Sequence, residues 1–315
     1  MFGILNSRSR SISDSPIVSV PNAMTVDVED WHNATILQVS GYVTPPTDAV
    51  RKNTERLCAL FEDYGVRATW FFLGEVAQAF PQLVQMVVKA GHEVGVHGYH
   101  HHQIQALSLK DYRASVIRAK ETVEEAGGFK VVGYRAVDFG INQKSWSALD
   151  MLAEAGFKYD SSIFPFAGPR YGMPNAPVGP HWITTNNGSY IYEIPVSVAT
   201  IFGAGIPGTG GGYLRHFPLL FTQVLMRRIH AEGRAAVFYM HPCEIQFPDP
   251  LVSVPVELKH EHVKELRMLH KSETWNRQHT ERKLRHLLRE YKFGTIQSVF
   301  GVDGLEPPVR EQIIR

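Results

Sequence analysis

Residues 68–97 read ATWFFLGEVAQAFPQLVQMVVKAGHEVGVH. Ala68-Thr69-Trp70-Phe71-Phe72-Leu73 reads as a buried strand, and Gly74 breaks it. Pro81 then opens a helix that runs to Ala90, because the N–H that proline lacks has no partner in a first helical turn anyway. Gly91 closes the helix, and His92 to His97 reads as the next strand. A strand, a helix and a second strand in so short a space define a βαβ unit, whose two strands run parallel.

The same alternation extends in both directions. Upstream, Met24 to Val28 is a short apolar strand ending in acids, and Thr47 to Tyr64 places Val50, Leu57, Leu60 and Phe61 at helical spacing. Downstream, Leu109 to Ala126 is helical up to Gly127-Gly128, Val131 to Arg135 is a strand, and Ser145 to Ala155 is a helix stopped by Gly156. Phe157 to Ser161 and Ile191 to Val196 follow as strands, then a glycine-rich loop from Gly203 to Gly212, a helix from Pro218 to Glu232, and a strand from Ala235 to Met240. Six or more such units predict an α/β fold built as a closed or nearly closed, distorted (β/α) barrel. An open doubly wound sheet is the alternative, but no glycine-rich dinucleotide fingerprint follows the first strand. The long stretch from Phe164 to Asn187, rich in Pro and Gly, reads as a loop shaping a groove.

Residues 258–291 differ in character. Leu266, Leu269, Trp275, Leu284, Leu287 and Leu288 punctuate a segment rich in Lys, Arg, His and Glu, which predicts one or two amphipathic surface helices packed on the barrel. The interleaved acids argue for a solvated helix face rather than a nucleic-acid patch. The expected organisation is a flexible arm over 1–22, a single domain over 23–303 that includes the helical extension, and a tail over 304–315.

The chain has 315 residues, 44% of them hydrophobic and 20% charged, with a formal net charge of +1. That balance offers no electrostatic attraction for nucleic acid or an anionic membrane. Two cysteines, Cys58 and Cys243, supply neither a disulfide framework nor a metal-type spacing. No window is long and apolar enough to cross a bilayer, and residues 1–23 lack the features of a signal peptide. The expectation is a cytoplasmic protein, or one held peripherally at the inner membrane face.

The chemistry is signalled by His97-Gly98-Tyr99-His100-His101-His102, taken with Asp27-Val28-Glu29-Asp30. Two histidines four residues apart and a carboxylate from another segment suit a divalent metal such as zinc, iron, nickel or cobalt. Three protein ligands leave positions open for water and substrate, the arrangement of a catalytic metal. Asp27 and Asp30, His97 to His101, Arg135, Asp160 and His241-Pro242 all fall at predicted strand ends, and parallel barrels carry their active sites there.

Taken in order, TVDVEDWHN, HEVGVHGYHHHQI, GYRAVDF, YDSSIFP, GTGGGYLRHFP and FYMHPCEI resemble the motifs of NodB-type polysaccharide deacetylases, carbohydrate esterase family four. The resemblance spans Met24 to Phe300 and is strongest to the branch found in bacterial exopolysaccharide gene clusters, including those linked to PEP-CTERM protein sorting. It implies the distorted barrel of that family with C-terminal surface helices. It also implies a metal-dependent deacetylase of N-acetylated amino sugars, using zinc, or else cobalt or nickel. Asp27 would be the general base, Arg135 its orienting partner, His241 the general acid, and Asp160 the carboxylate supporting that histidine. The metal ligands would be His97, His101 and an acid of the DVED motif, Asp30 first and Glu29 as rival, since Glu29 shares a strand face with Asp27. A backbone N–H near Tyr99 or Arg135 would hold the oxyanion.

Trp31, Tyr99 and Phe139 are candidate sugar-stacking surfaces, and His32 and Asp138 candidate substrate contacts. Two departures from the family pattern bear on substrate: Val137-Asp138 stands where proline is usual, and Cys243 replaces a tryptophan. Substrates consistent with this reading are N-acetylated oligosaccharides and lipid-linked or nucleotide-linked sugars, worked on beside a polysaccharide assembly machinery. The alternatives are a hydrolase of cyclic amides or formyl groups on the same fold, and an inert glycan-binding component of such a machinery.

Overall fold

The computed structural model describes residues 21–33, 44–168, 171–245, 271 and 275–308. Most of the expected arm, the first part of the 258–291 helical segment with Leu266 and Leu269, and the end of the tail lie outside the described residues.

The strands are β1 (Asn22–Val28), β2 (Thr69–Phe72), β3 (Glu93–Val96), β4 (Gly133–Tyr134), β5 (Tyr159–Asp160), β6 (His181–Thr184), β7 (Tyr190–Glu193), β8 (Val198–Ile201), β9 (Ala204–Pro207), β10 (Val237–Met240) and β11 (Phe293–Gly294). The main sheet runs in the order β10-β1-β2-β3-β4-β5-β7-β6, with β11 added to the start of β1. All its pairings are parallel except β6 with β7. This is the expected α/β fold, a sheet curled into an incomplete barrel.

Its two ends do not pair. Irregular chain spans the opening instead: Val196 N–H donates to Ile163 O (3.1 Å), Val237 N–H to Ser197 Oγ (2.8 Å) and Tyr239 N–H to Thr209 O (3.0 Å).

The helices are α1 (Asp48–Asp63), α2 (Gly74–Ala79), α3 (Pro81–Lys89), α4 (Leu109–Gly127), α5 (Ala148–Glu154), α6 (Gly211–His216), α7 (Leu219–Ala231), α8 (Arg277–Glu290) and α9 (Ile296–Phe300). Thr47 caps α1 by accepting from Ala49 N–H, Ser108 caps α4 through Asp111 N–H, and Gly128 ends α4 in the left-handed conformation. Gly74 does more than break the β2 run. It starts α2, and a Cβ there would come within 2.5 Å of the Tyr99 ring. In α8, Leu284, Leu287 and Leu288 are buried as the amphipathic pattern requires, while Trp275 ahead of it is exposed.

Several elements are absent from the sequence reading, α2, α6, β11 and α9 among them. Strand β6 lies inside the expected loop 164–187, and the β8–β9 hairpin occupies the region read as glycine-rich loop. The hairpin turns on Phe202 and Gly203, both at positive φ (49° and 79°), and phenylalanine is not a residue that signals such a turn.

Side-chain alternation divides the barrel wall into two faces. Val26, Trp70 and Val94 share one register row, and Val28, Phe72, Val96 and Tyr134 the next; these pack against the helices. Between them, Thr25, Thr69 and Glu93, then Asp27, Phe71 and Gly95, point into the barrel. Space inside is limited. A Cβ on Gly95 would stand 2.4 Å from the Phe71 ring, and one on Gly133 would stand 2.1 Å from the Tyr159 hydroxyl.

At the closed end, Glu93 accepts from Thr69 Oγ1 (2.6 Å), Tyr159 OH (2.5 Å) and Gln297 N–H (3.0 Å). Strand β11 and α9 therefore plug the bottom of the barrel, and chemistry is left to the opposite rim.

Gly95→Ala should test this packing. The added methyl group has to displace Phe71, so urea unfolding should show a loss of about 1–3 kcal/mol; an unchanged midpoint would mean the interior has room to spare.

Candidate metal centre and catalytic rim

Parallel strands deliver their C-terminal ends to one rim, and each site side chain arrives from a different strand. Asp27 lies in β1 and Glu29 just beyond it, His97 follows β3, Arg135 follows β4 and His241 follows β10. Gly98, at φ 93°, turns the chain after His97 so that His101 comes back beside it, with the two imidazole centroids 5.8 Å apart.

Glu29, His97 and His101 form a group whose ligand atoms all lie within 4.8 Å of one another. Glu29 Oε2 stands 2.5 Å from His101 Nε2 and 3.9 Å from His97 Nε2. That oxygen is buried and, among the described residues, accepts no well-directed hydrogen bond; His101 Nδ1 is buried without a partner among them. His97 donates its Nδ1–H to Arg135 O (2.9 Å), which fixes the tautomer and turns the Nε2 lone pair toward Glu29. Two imidazoles, one carboxylate and an orphaned buried oxygen fit a divalent cation.

The electrostatics agree. Burial lowers the pKa of His97 despite the nearby Asp27 and Glu29 carboxylates, so its ring stays neutral. Burial opposes charge on His101 as well, but Glu29 beside it raises its pKa on balance. Burial works against the Glu29 carboxylate, yet His101, His241 and His97 hold its pKa well below the usual carboxylate range.

Asp30, first choice as ligand from the sequence, stands apart from this group. Its Oδ2 accepts from Thr47 N–H and Thr47 Oγ1 (both 2.6 Å), and its Oδ1 from Trp31 N–H (2.8 Å). Asp30 thus clamps the N-cap of α1. The reason is local: the chain turns into a one-turn 3-10 helix over Trp31–Asn33, which swings Asp30 away while Glu29 keeps the side of the strand that carries Asp27.

Behind the metal group lies Arg135, fully buried. It donates from Nη1 to Asp27 Oδ1 (2.9 Å) and Thr25 Oγ1 (2.7 Å), from Nε to Ser161 O (3.0 Å) and from Nη2 to Ser161 Oγ (2.9 Å). Its guanidinium lies 4.4 Å from the centroid of the Phe71 ring. Arg135 N–H is given to Val96 O, so that group is not the expected oxyanion donor.

On the far side, His241 Nε2 lies 3.2 Å from Glu29 Oε1 and 4.0 Å from Asp27 Oδ2. Burial opposes charge on this imidazole, but the Glu29, Glu244 and Asp27 carboxylates together raise its pKa to about 9.

Asp160 was expected to support His241 and does not. The carboxylates within 4.0 Å of His241 among the described residues are Asp27, Glu29 and Glu244. Asp160 instead pairs with Glu193, both fully buried. Ser162 Oγ donates to Asp160 Oδ1 and Ile163 N–H to Glu193 Oε1, while the remaining oxygens meet with no other donor. Burial pushes both pKa values up, so the pair keeps one proton between them. Parallel pairing sets β5 beside β7, which is why these two acids meet.

The expected substrate contacts divide similarly. Tyr99 is buried, with its OH donating to Gln78 Oε1 and the Arg118 guanidinium 3.7 Å above its ring, so it packs α2 against α4 and is no sugar platform. His32 is buried against Asp30 (3.4 Å). Phe139 is buried among Phe164, Tyr171 and Tyr239 and forms wall rather than surface. Trp31 is half-buried at the rim. Asp138 is half-buried at φ 53°, accepts from Gln103 Nε2 (2.8 Å) and raises the pKa of His101 through its charge. A non-glycine residue held at positive φ is a strained position of the kind that clusters at functional sites. The residues that sequence reasoning passed over are Glu244 and Arg215, an ion pair beside His241. Glu244 does stand three residues after His241, one turn of 3-10 helix, and that spacing was the available signal.

A profile of the polysaccharide deacetylase family matches residues 43–159, and a domain of unknown function (DUF3473) matches residues 161–301. Over residues 43–159 the chain is therefore similar to polysaccharide deacetylases. A peptidoglycan deacetylase of Helicobacter pylori is 34% identical over 108 residues, which is 34% of this chain and 36% of that protein. A chitooligosaccharide deacetylase of Sinorhizobium fredii is 30% identical over 105 residues, 33% of this chain and 47% of that protein. The chain thus spans only a part, about a third, of the first of these relatives. Among solved structures, a candidate polysaccharide deacetylase from Mycobacterium smegmatis superposes with a TM-score of 0.59 at 20% identity, covering 94% of this chain and 97% of that one. An allantoinase superposes at 0.51 and 17% identity, covering 86% and 92%. The fold is therefore shared by chains described as different enzymes, and the side chains at the rim have to carry the functional argument.

Two predictions follow from this geometry. Calorimetry with zinc should show Glu29→Ala weakening binding at least tenfold, on the order of 1.4 kcal/mol, while Asp30→Asn leaves zinc affinity near wild type and lowers thermal stability; the reverse pattern would restore Asp30 as ligand. For the carboxyl pair the sign is set by its raised folded-state pKa values: the unfolded chain releases these protons near the ordinary carboxylate value, and the folded chain still holds one. Wild-type stability relative to Glu193→Gln should therefore fall as pH rises from about 4 toward 7, by on the order of 1–2 kcal/mol. Urea unfolding of both proteins across that range reads the difference, and parallel curves would count against the shared proton.

Proposed function

We propose that this protein is a metal-dependent N-deacetylase that removes acetyl groups from N-acetylated amino sugars of the N-acetylglucosamine type, in a glycan or glycan precursor. The observation that carries the reading is the meeting, on one rim, of a metal-binding group with a carboxylate held by a buried arginine and a histidine on its other side.

Glu29, His97 and His101 would hold the cation, zinc in the first instance, with cobalt or nickel as alternatives. Such a cation acidifies water and polarises an acyl oxygen. Asp27 takes the proton of the attacking water; Arg135 fixes its Oδ1 and leaves Oδ2 facing the rim. His241 Nε2, on the other side of the same space, delivers a proton to the nitrogen as the C–N bond breaks, since an amine leaves poorly until protonated. Acetate and a free amino sugar result. Asp138, half-buried at positive φ, and Trp31, half-buried just past β1, are the contacts proposed for the sugar.

The motif set, including GTGGGYLRHFP and FGTIQSVF, supports placement in the exopolysaccharide branch, with a lipid-linked or nucleotide-linked sugar as substrate beside an assembly machinery. No described helix is long and apolar enough to cross a membrane.

The test is acetate release from a panel of N-acetylated oligosaccharides and lipid- or nucleotide-linked sugars, using metal-stripped protein with and without added zinc, cobalt or nickel. Metal-dependent release should appear and fall by about 10²–10⁴-fold in Asp27→Asn, with zinc affinity retained. Zinc binding without acetate release would sink the deacetylase reading; activity on formyl or cyclic amides would then replace it with another amide hydrolase, and sugar binding alone with an inert glycan-binding role.

A further inference from the structure

His241 has two ring nitrogens in two different environments. Nε2 faces the rim, and Nδ1 faces inward to Glu244 Oε1 at 3.4 Å. The turn Pro242–Ile245 follows β10 directly and brings Glu244 back under the imidazole. Glu244 is buried, and an ionised carboxylate taken out of water needs compensation. Arg215 provides it: its Nη1 donates to Glu244 Oε2, and Arg215 is buried too. Arg277 of α8 adds a second positive charge acting on the same carboxylate.

Arg215 is itself held in place. It sits in the last turn of α6, whose terminal carbonyls at Leu214, Arg215 and Phe217 all accept from Lys283 Nζ of α8, at 2.9, 3.0 and 2.8 Å. The chain entering α6 runs beside β10, Gly210 pairing with Tyr239. So α8 anchors α6, α6 places Arg215, Arg215 places Glu244, and Glu244 reaches the ring nitrogen of His241 that points away from the rim.

We infer that Glu244, braced by Arg215, is the positioning residue for His241, holding its Nδ1–H so that Nε2 is aimed at the leaving nitrogen. The inference rests on the deacetylase reading for that last clause. It assigns to residues within the 161–301 region, which a domain of unknown function matches, the orientation of the proton donor. It also gives Glu244 the place that the sequence reading assigned to Asp160. A carboxylate behind an imidazole selects the tautomer and orients the ring without touching substrate. Arg215 and Glu244 could instead form an ion pair that only ties α6 to the turn, and the experiment has to separate these two roles.

The experiment compares zinc-loaded wild type, Glu244→Gln, Glu244→Asp and Arg215→Lys on an N-acetylated chitooligosaccharide and on 4-nitrophenyl acetate, whose leaving group departs without protonation. In Glu244→Gln, kcat on the amide should fall about 10–100-fold with KM within about threefold, and the amide-to-ester ratio should fall at least about tenfold. Glu244→Asp should recover part of the ratio, and Arg215→Lys should lower it less than Glu244→Gln. Equal losses on both substrates, or an unchanged ratio, would overturn the inference. Imidazole proton NMR reads positioning without turnover: the Nδ1–H signal of His241, slowed in exchange by Glu244, should be present in wild type and Arg215→Lys and absent in Glu244→Gln. A signal that persists in Glu244→Gln overturns the inference. Loss of the signal in Glu244→Gln, in a protein whose wild type releases no acetate, overturns the deacetylase reading and leaves the positioning intact.

Discussion

A guanidinium with no solvent around it dictates much of this molecule. Arg135 is completely buried, so every polar hydrogen it presents has to meet an acceptor or forfeit several kcal/mol of hydration. Thr25 and Asp27 from β1 and Ser161 from the end of β5 meet that demand, and the ring of Phe71 covers one face. The carbonyl of the same residue accepts from His97. One residue thus fixes the rotamer of the proposed base and the tautomer of a proposed metal ligand. Removing either charge of a buried pair of this kind costs about 3–5 kcal/mol, so function and stability are tied together at this point.

The barrel interior shows how such a demand is met. Its lining carries a polar column beside a small apolar cluster around Ala23, Phe71, Val237 and Ile296: Glu93 with Thr69 and Tyr159 at the bottom, Asp160 with Glu193 at one side, and Arg135 with Asp27 toward the rim. The apolar packing is displaced outward to the helices, where Val26, Trp70, Phe72 and Val96 lie. Glycines at 95 and 133 make room for the Phe71 and Tyr159 rings in the interior. The C-terminal elements serve this column from both ends. Residues 293–300 seal the bottom, and α8 fixes α6 and Arg215 near the rim.

Much of this was legible in the chain. Short apolar runs separated by capped helices announced parallel strands, and strands such as β2 and β3 are short, largely apolar and bounded by glycine, so their position hardly depends on anything distant. The elements that were missed carry weaker local signals. Strand β6 is half-buried and pairs antiparallel at the sheet edge, and the β8–β9 hairpin turns on a phenylalanine. Asp27, His97, His101, Arg135 and His241 could be placed at the rim because each sits at or just past the end of a strand, where chain direction alone sends it there. Asp30, Asp160, Tyr99 and His32 were misplaced because one residue of register, or one turn of 3-10 helix, moves a side chain from the rim into the packing.

The sequence by itself determined the fold class, the rim and the residue types gathered there, because strand and helix signals are local and parallel strands share a direction. Tertiary structure alone decided which acid faces the histidines, which carboxylate stands behind His241, and that Asp160 is buried against Glu193. Those outcomes depend on side chains from β1, β3, β5, β7, α6 and the turn after β10 meeting within a few ångströms. Contacts between segments so far apart in the chain are set by register and by the cost of burying charge, and neither is written in any local stretch of residues.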